Sequence, residues 1–434
     1  MESFSGFPVN LQPLDSQERP YQKTNMKYDY DIIVVGGGPA GTSTALFAQR
    51  MGLNVLLLDK KSFPRDKVCG DLVPLQSVIH LKELGLFERI QNAAHVPIDG
   101  VRFHSPNGKS LKFKLSPDRV CDYALGFNAT RKVFDNILFQ AAKERGAVIE
   151  NFRVRDLLMK NHRVFGVTGE TNYSQKRTIT AKVVVGADGF HSVVARKTGA
   201  YHYSPKHCLV ATRGYYRGVK GLDHSIELGF LKQLHPGYFW IFPVGNGIAN
   251  VGLGTTHQIS KKYRVKLRAL QEWLTTASPL CHRFADAELI GEVKGWNLPT
   301  PDKHRRVQGK GFVLVGDAAG LVNPLTGGGI DNAIISGHVA ARVLAEACQG
   351  KKYDAAGLQK YEPRLWEALD KAGLKSDFRL QRVGHFRLFY VLLERLITRA
   401  SDQPEVINLI SSMVMDGKSM SHPRFLWPLL KLLF

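Results

Sequence analysis

The residues best placed for chemistry lie in three glycine-bearing segments: GGGPAG at 36–41, GADGFHS at 186–192 and GDAAGLVNPLTGGGI at 316–330. The first follows the β-branched run Ile32 Ile33 Val34 Val35 and precedes 42–50, which reads as a helix. Strand, tight turn and helix in that order make a phosphate cradle: Gly36 permits the turn, Gly38 lets backbone approach a pyrophosphate, and Gly41 lets helix pack on strand. Pro39 and Ala40 complete the turn, so the phosphate charge meets the helix N-terminus. A second strand should then end about twenty residues on in a carboxylate that accepts from a ribose hydroxyl. Val55 Leu56 Leu57 Leu58 runs into Asp59, with Lys60 next, and Asp59 would repel a 2′-phosphate. A bare glycine pattern fits many ordinary turns. Strand, helix and Asp59 in register point to a dinucleotide, although this turn alone does not separate NAD from FAD.

The elements that must hold the other two segments are buried strands. Val183 Val184 Val185 leads into Gly186 and Asp188, and Phe312 Val313 Leu314 Val315 leads into Gly316 and Asp317, with a helix opening near Gly329. The order and separation of the three turns resemble the flavoprotein monooxygenase and geranylgeranyl reductase superfamily over most of residues 29–345. That resemblance implies FAD held by an α/β, Rossmann-like domain of the glutathione reductase type. It places Asp188 at the cofactor, Asp317 at the ribityl chain, and Gly328, Gly329 and Ile330 at the flavin ring.

Two further segments resemble the geranylgeranyl reductases specifically. Residues 63–71 read FPRDKVCGD, and the resemblance brings Arg65 and the Cys69-Gly70 pair to the flavin. By type alone, Cys69 would be an inert buried thiol. Residues 236–243 read PGYFWIFP, in which period-two alternation puts Tyr238, Trp240 and Phe242 on one face of a strand as an apolar wall. An ordinary aromatic strand of this kind is core. The Tyr-x-Trp-x-Phe-Pro match, ending at Pro243, implies an isoprenoid cavity in which phenol and indole supply two polar points. Arg131 matches the family's cofactor-contacting arginine, against the plain reading of a solvated helix-end charge. Val154 falls where the family's backbone meets adenine.

The resemblance implies a reductase in which reduced FAD gives hydride to one alkene carbon while an acid protonates the other. Cys69, Tyr238 or a water they hold are the proton sources, with Trp240 completing the catalytic set. NADPH or a ferredoxin is the expected electron donor, the latter as a redox partner protein. The alternatives are an FAD monooxygenase acting on an aromatic or isoprenoid compound and a non-catalytic flavoprotein or lipid-carrier subunit. A halogenase is disfavoured because its Trp-x-Trp-x-Ile-Pro segment is not found.

Composition agrees with a large globular enzyme. At 434 residues the chain exceeds one ordinary core. Its five cysteines are scattered and lack metal-ligand spacing, so no metal is expected and a reducing cytoplasm is the simpler location. The net charge of +21 is spread out, favouring anionic partners in general; nucleic acid ranks last and is not expected, because no recognised binding module is present and the glycine motifs occupy the framework. Residues 1–27 read as a disordered leader. The apolar end, 425–434, either caps a core or touches a membrane peripherally from its inner face, with Trp427 near the headgroups and Lys431 snorkelling.

The pattern divides the chain into a discontinuous FAD-binding domain (28–96, 119–200 and 284–345), an inserted antiparallel substrate domain (97–118 and 201–283) and a helical C-terminal region (346–434). Asn107-Gly108 signals a two-residue hairpin inside the insertion. Helices are expected at 131–145, 260–277 and 330–347, and from about 354 onward.

Overall fold

A computed structural model describes residues 27–114, 123–172, 174–384, 394, 395 and 397. The leader up to residue 26 and the apolar segment 425–434 lie outside the described residues.

Runs of four apolar residues that do not alternate demand burial on both faces, and here they form a parallel sheet. Its order is Phe312–Leu314, Lys176–Gly186, Tyr30–Val35, Val55–Leu58 and Ala147–Ile149, with Gln308–Gly309 antiparallel at one edge. Register brings Val35 level with Gly186 and Leu58, Gly186 level with Leu314, and Leu58 level with Ile149. All three glycine segments and Asp59 therefore leave the sheet at the same carboxyl end. In open α/β sheets that end forms the ligand crevice. Backbone bonds lock the exits: Gly36 N donates to Leu58 O (2.7 Å), Ala187 N to Val35 O (2.8 Å) and Val315 N to Gly186 O (2.9 Å).

Strand Lys176–Gly186 serves twice. Its first half pairs antiparallel with Arg163–Thr171, which pairs in turn with Phe152–Lys160. Helices Pro39–Arg50, Arg131–Arg145 and Ile330–Gln349 pack around the parallel strands. A Cβ on Gly337 would lie 2.3 Å from Ser43 Oγ and 2.9 Å from Ala40 O, so glycine lets the first and last of these helices meet at backbone distance.

The second sheet has seven strands in the order Glu288–Pro299, Cys208–Arg217, Ile248–Thr256, Tyr238–Gly245, Ser225–Gly229, Gly100–His104 and Ser110–Lys114. Neighbours run antiparallel except Ser225–Gly229 with Gly100–His104, which are parallel. The aromatic strand Tyr238–Gly245 sits near its middle, where both faces are covered. Phe239 and Ile241 point away from the wall into a core with Val251, Leu253 and Leu274.

Three expectations need correction. The insertion ends at Pro299 and not at 283, because Glu288–Pro299 pairs along Cys208–Arg217; its exposed edge position gives it no apolar alternation to read. The hairpin at Asn107-Gly108 has a three-residue loop, since Gly108 N donates to Ser105 O and Gly108 follows at φ +85°. The helix expected at 260–277 is two, His257–Lys262 and Leu267–Thr276, broken at Arg264 with φ +50°. The tail begins as expected with Ala355–Leu358, Tyr361–Lys371 and Leu374–Gly384.

A buried ionic cluster ties the second sheet to the segment behind it. Glu227 receives Arg283 Nη1 and Nη2 at 2.6 and 2.8 Å and lies 2.6 Å from His104 Nε2, with all three side chains buried. Burial alone would raise the Glu227 pKa, but His104 and Arg283 hold it below the ordinary glutamate value. Its stabilising contribution is thus present above the unfolded glutamate pKa and is lost as pH falls through the lower folded value. Arg283→Ala strands the carboxylate and should cost about 3–5 kcal/mol. It should also move acid unfolding to higher pH, as measured by urea denaturation across a pH series.

Candidate cofactor and substrate site

The helix Pro39–Arg50 begins at Gly38 without any side-chain cap, so its N-terminal dipole and N–H groups face the crevice uncompensated. The turn before it and the helix's own first turn each tolerate glycine alone at one point. Gly36 has φ +109°, and a Cβ there would sit 2.4 Å from Ala187 O; a Cβ on Gly41 would sit 1.8 Å from Gly36 O. Gly316 faces the same helix, its Cβ position 2.7 Å from Ala40 Cβ. Gly41 and Gly316 thus act through packing. Gly38 differs, because a Cβ there would meet only Arg65 Nη2 within 4 Å, at 3.5 Å, and it lines open space.

That space is one cavity of about 1220 Å³, above the roughly 300–1,000 Å³ of ordinary ligand pockets. Its cofactor end is walled by Gly36, Gly38, Pro39 and Ala40, by Asp59 and Lys60, and by Arg65, Arg131, Val154 and Asp188. Asp59 Oδ2 accepts from Gly37 N at 2.7 Å and Oδ1 from Lys61 N at 2.8 Å, which fixes the carboxylate against the glycine turn. Asp188 accepts from Ser192 Oγ and Val193 N, both at 2.5 Å, so its carboxylate holds its own turn in shape. Burial raises its pKa, and those hydrogen bonds oppose the rise. Arg131 is buried, which removes the solvated helix-end reading. It grips Asp135 through Nε and Nη2 at 2.6 and 2.7 Å, while Arg65 approaches the same carboxylate at 3.0 Å.

Asp317, Gly328, Gly329 and Ile330 line the cavity farther on, and beyond them it is bounded by Cys69, Gly70, Tyr238, Trp240 and Phe242. The Cys69-Gly70 corner packs on the aromatic wall, with the Cβ position of Gly70 3.3 Å from the Phe242 ring. Two sequence readings change here. The Trp240 indole Nε1 donates to Asn250 Oδ1 at 2.9 Å, and the Tyr238 hydroxyl donates to the Thr326 carbonyl. Both polar tips are therefore committed to protein acceptors and anchor the wall, leaving apolar faces toward the cavity. Burial also pushes the Tyr238 phenol up to about 12, which weakens it as an acid. Pro243 does not line the cavity; its carbonyl accepts from Asn128 Nδ2 at 2.8 Å, and the residue is structural.

Several cavity residues escaped sequence reading. Lys67 lies over the Trp296 ring at 4.1 Å. Burial lowers its pKa to about 8 despite the attraction of Asp317. Asp71 lines the cavity beneath the Cys69-Gly70 corner, clasped from behind by buried Asn250 and half-buried Tyr215: Asn250 Nδ2 donates to Cys69 O (2.7 Å) and Asp71 Oδ2 (2.8 Å), and the Tyr215 hydroxyl donates to Asp71 Oδ2 (2.6 Å). The available signal was Asn250, a lone amide in an apolar strand with an inward position.

The cavity fits FAD. The uncapped helix N-terminus would hold its diphosphate, Asp59 at the end of the second strand would accept from its ribose, and a long walled space continues to the glycines beyond Asp317. The chemistry FAD supplies when bound is hydride transfer. Replacing Gly41 by Ala forces its Cβ into Gly36 O and should displace the cradle. The expected result is at least a tenfold loss of FAD affinity, read from the flavin absorbance retained after desalting.

The comparisons agree with this geometry. The FAD binding domain family model matches residues 29–371. The chain is 30% identical to a digeranylgeranylglycerophospholipid reductase of Methanocella arvoryzae, over 82% of this chain and 88% of that one. It is 34% identical to digeranylgeranylglycerophospholipid reductase 2 of Methanopyrus kandleri, over 88% and 93%. In fold it matches the crystal structure of a geranylgeranyl bacteriochlorophyll reductase-like protein from Thermoplasma acidophilum, with TM-score 0.75, 24% identity and coverage of 93% and 99%. With glycine turns, ribose carboxylate and aromatic wall all in one cavity, the chain belongs to the FAD-binding domain family and, within it, to the group of the digeranylgeranylglycerophospholipid reductases.

Proposed function

We propose that this protein is an FAD-dependent reductase that saturates the isoprenoid double bonds of a prenyl lipid. The observation that carries the reading is the continuity of the cavity. The same space that begins at the phosphate cradle runs past the Cys69-Gly70 corner to an aromatic wall whose polar tips are turned to protein. An alkene has no polar handle, so it must be held by shape and water exclusion. Tyr238, Trp240 and Phe242 supply one side of that shape, and Ile226, Leu228 and Phe230 extend it. Cys69, partly exposed at the corner, gives the proton that accompanies hydride addition.

The electron donor is NADPH or a ferredoxin. A broad positive charge supports docking of an acidic carrier, and it equally supports contact with an anionic membrane face. Among the described residues no helix is long and apolar enough to cross a membrane.

Anaerobic mixing of the reduced protein with a geranylgeranyl glycerophospholipid should reoxidise the flavin and add two hydrogens per double bond, as read by mass spectrometry. Reoxidation by oxygen alone, with a hydroxylated product, would establish the monooxygenase reading instead. Phe242→Ala forfeits about 1.5–3 kcal/mol of apolar burial, so KM for the lipid should rise roughly 10- to 100-fold with FAD occupancy retained.

A further inference from the structure

Beneath the Cys69-Gly70 corner lies a carboxyl group that binding FAD does not require. Asp71 is fully buried, and its Oδ2 takes both the Tyr215 hydroxyl and Asn250 Nδ2. Its Oδ1 is buried and takes no hydrogen bond from the described residues. A buried carboxylate oxygen without a donor is costly, whereas a protonated one carries its own hydrogen. The backbone adds a second observation: Asp71 has φ +69°, in the left-handed region that a glycine would occupy without strain. That conformation is held by the sheet Leu72–Pro74 next to it, where Leu72 pairs with Asn128, and by the side chains that clasp Oδ2. The Asp71 N–H points at Cys69 Sγ at 3.4 Å, and the residue lines the cavity.

We propose that Asp71 is the proton reservoir of the reduction, a carboxyl group that resupplies the Cys69 thiol each time an alkene is saturated. The inference rests on the reductase reading above. As the alkene π bond breaks, one carbon would take the hydride that reduced FAD supplies when bound, and the Cys69 S–H breaks to give the proton that forms the other C–H bond. The thiolate left behind takes the proton of the Asp71 carboxyl, and the Asp71 carboxylate recovers a proton from solvent between turnovers. The Arg131 and Lys67 charges interact with the sulfur and hold it while it is negative.

The groups facing Asp71 come from every surrounding element. They are Tyr215 and Arg213 on Cys208–Arg217, Asn250 on Ile248–Thr256 and Arg131 at the start of Arg131–Arg145, while Cys69 Sγ meets the backbone N–H of Asp71. Burial raises the Asp71 pKa to about 6, while the Tyr215 and Asn250 hydrogen bonds and the two arginines restrain the rise. A carboxyl tuned toward neutrality is the kind that exchanges protons near working pH. Asp66, five residues earlier, shows the contrast: paired with Arg213 at 2.8 Å, it is held below the ordinary aspartate range despite burial.

The test combines a titration with kinetics. Infrared difference spectra of the FAD-loaded protein should show a carboxyl band that titrates near pH 6, is missing in Asp71→Asn, and moves up by about one pH unit in Tyr215→Phe, which removes a hydrogen bond to the charged form. With lipid and a chemical reductant in excess, Asp71→Asn should slow every turnover after the first by roughly 100-fold or more while retaining FAD, and Asp71→Glu should restore part of the rate. The pH midpoint of that rate should follow the Tyr215→Phe shift, which a structural role alone would not produce. A carboxyl titrating at or below pH 4, an Asp71→Asn rate within about threefold of the native one, or a Tyr215→Phe rate loss with an unmoved midpoint would overturn the proposal. Native protein that leaves every prenyl lipid unsaturated defeats the reductase reading itself, and the infrared titration then still decides the state of Asp71.

Discussion

The structure depends on backbone approaching backbone where a side chain would intrude. Gly36 lies against the Ala187 carbonyl, Gly41 against the Gly36 carbonyl, Gly316 against Ala40, and Gly337 against the carbonyl of Ala40. These contacts join three segments separated by well over a hundred residues into one edge and hold the helix Pro39–Arg50 between them. A single added methyl at the tightest of these would have to move main chain, which has little freedom inside a buried parallel sheet. The helix N-terminus is consequently aimed and left uncapped, and its unsatisfied N–H groups are what make the crevice an anion site.

The second sheet solves a different problem: presenting greasy surface in a cavity that also holds polar groups. Tyr238 and Trp240 would each cost free energy if their O–H or N–H faced an apolar ligand without a partner. Both find acceptors in the protein, one in the loop that precedes Ile330–Gln349 and one on the neighbouring strand. Those two bonds link the wall to the cofactor-side loop and, through Asn250, to the Cys69-Gly70 corner. Wall, corner and cofactor end are thereby registered to one another by hydrogen bonds and not by packing alone.

Charge is arranged with the same economy. Arg65 and Arg131 share Asp135, Arg213 is matched by Asp66, and Arg283 by Glu227. Paired in this way, buried cations cost little and stiffen the site, although such pairs contribute more to geometry than to net stability. Asp71 stands apart because its partners are a hydroxyl and an amide, which leaves burial as the dominant influence on its proton.

The linear sequence by itself determined the parallel sheet, the glycine turns, Asp59, and the one-faced display of Tyr238, Trp240 and Phe242. Each of these is written in local patterns: β-branched runs, glycines at fixed offsets and a period of two. It also marked the segment around Cys69 as unusual. What it could not supply were features created by distant pairing. The edge strand Glu288–Pro299 has no apolar pattern because solvent covers it, and the anchoring of Tyr238 and Trp240 needs acceptors 88 and 10 residues away. The burial of Arg131 and the isolation of Asp71 likewise arise only when a helix and two sheets close around them. Period and composition report which way a side chain points from its own strand or helix. The partner it meets, and hence the state of its proton, is decided by tertiary structure, because solvation and hydrogen bonding are properties of the assembled surroundings.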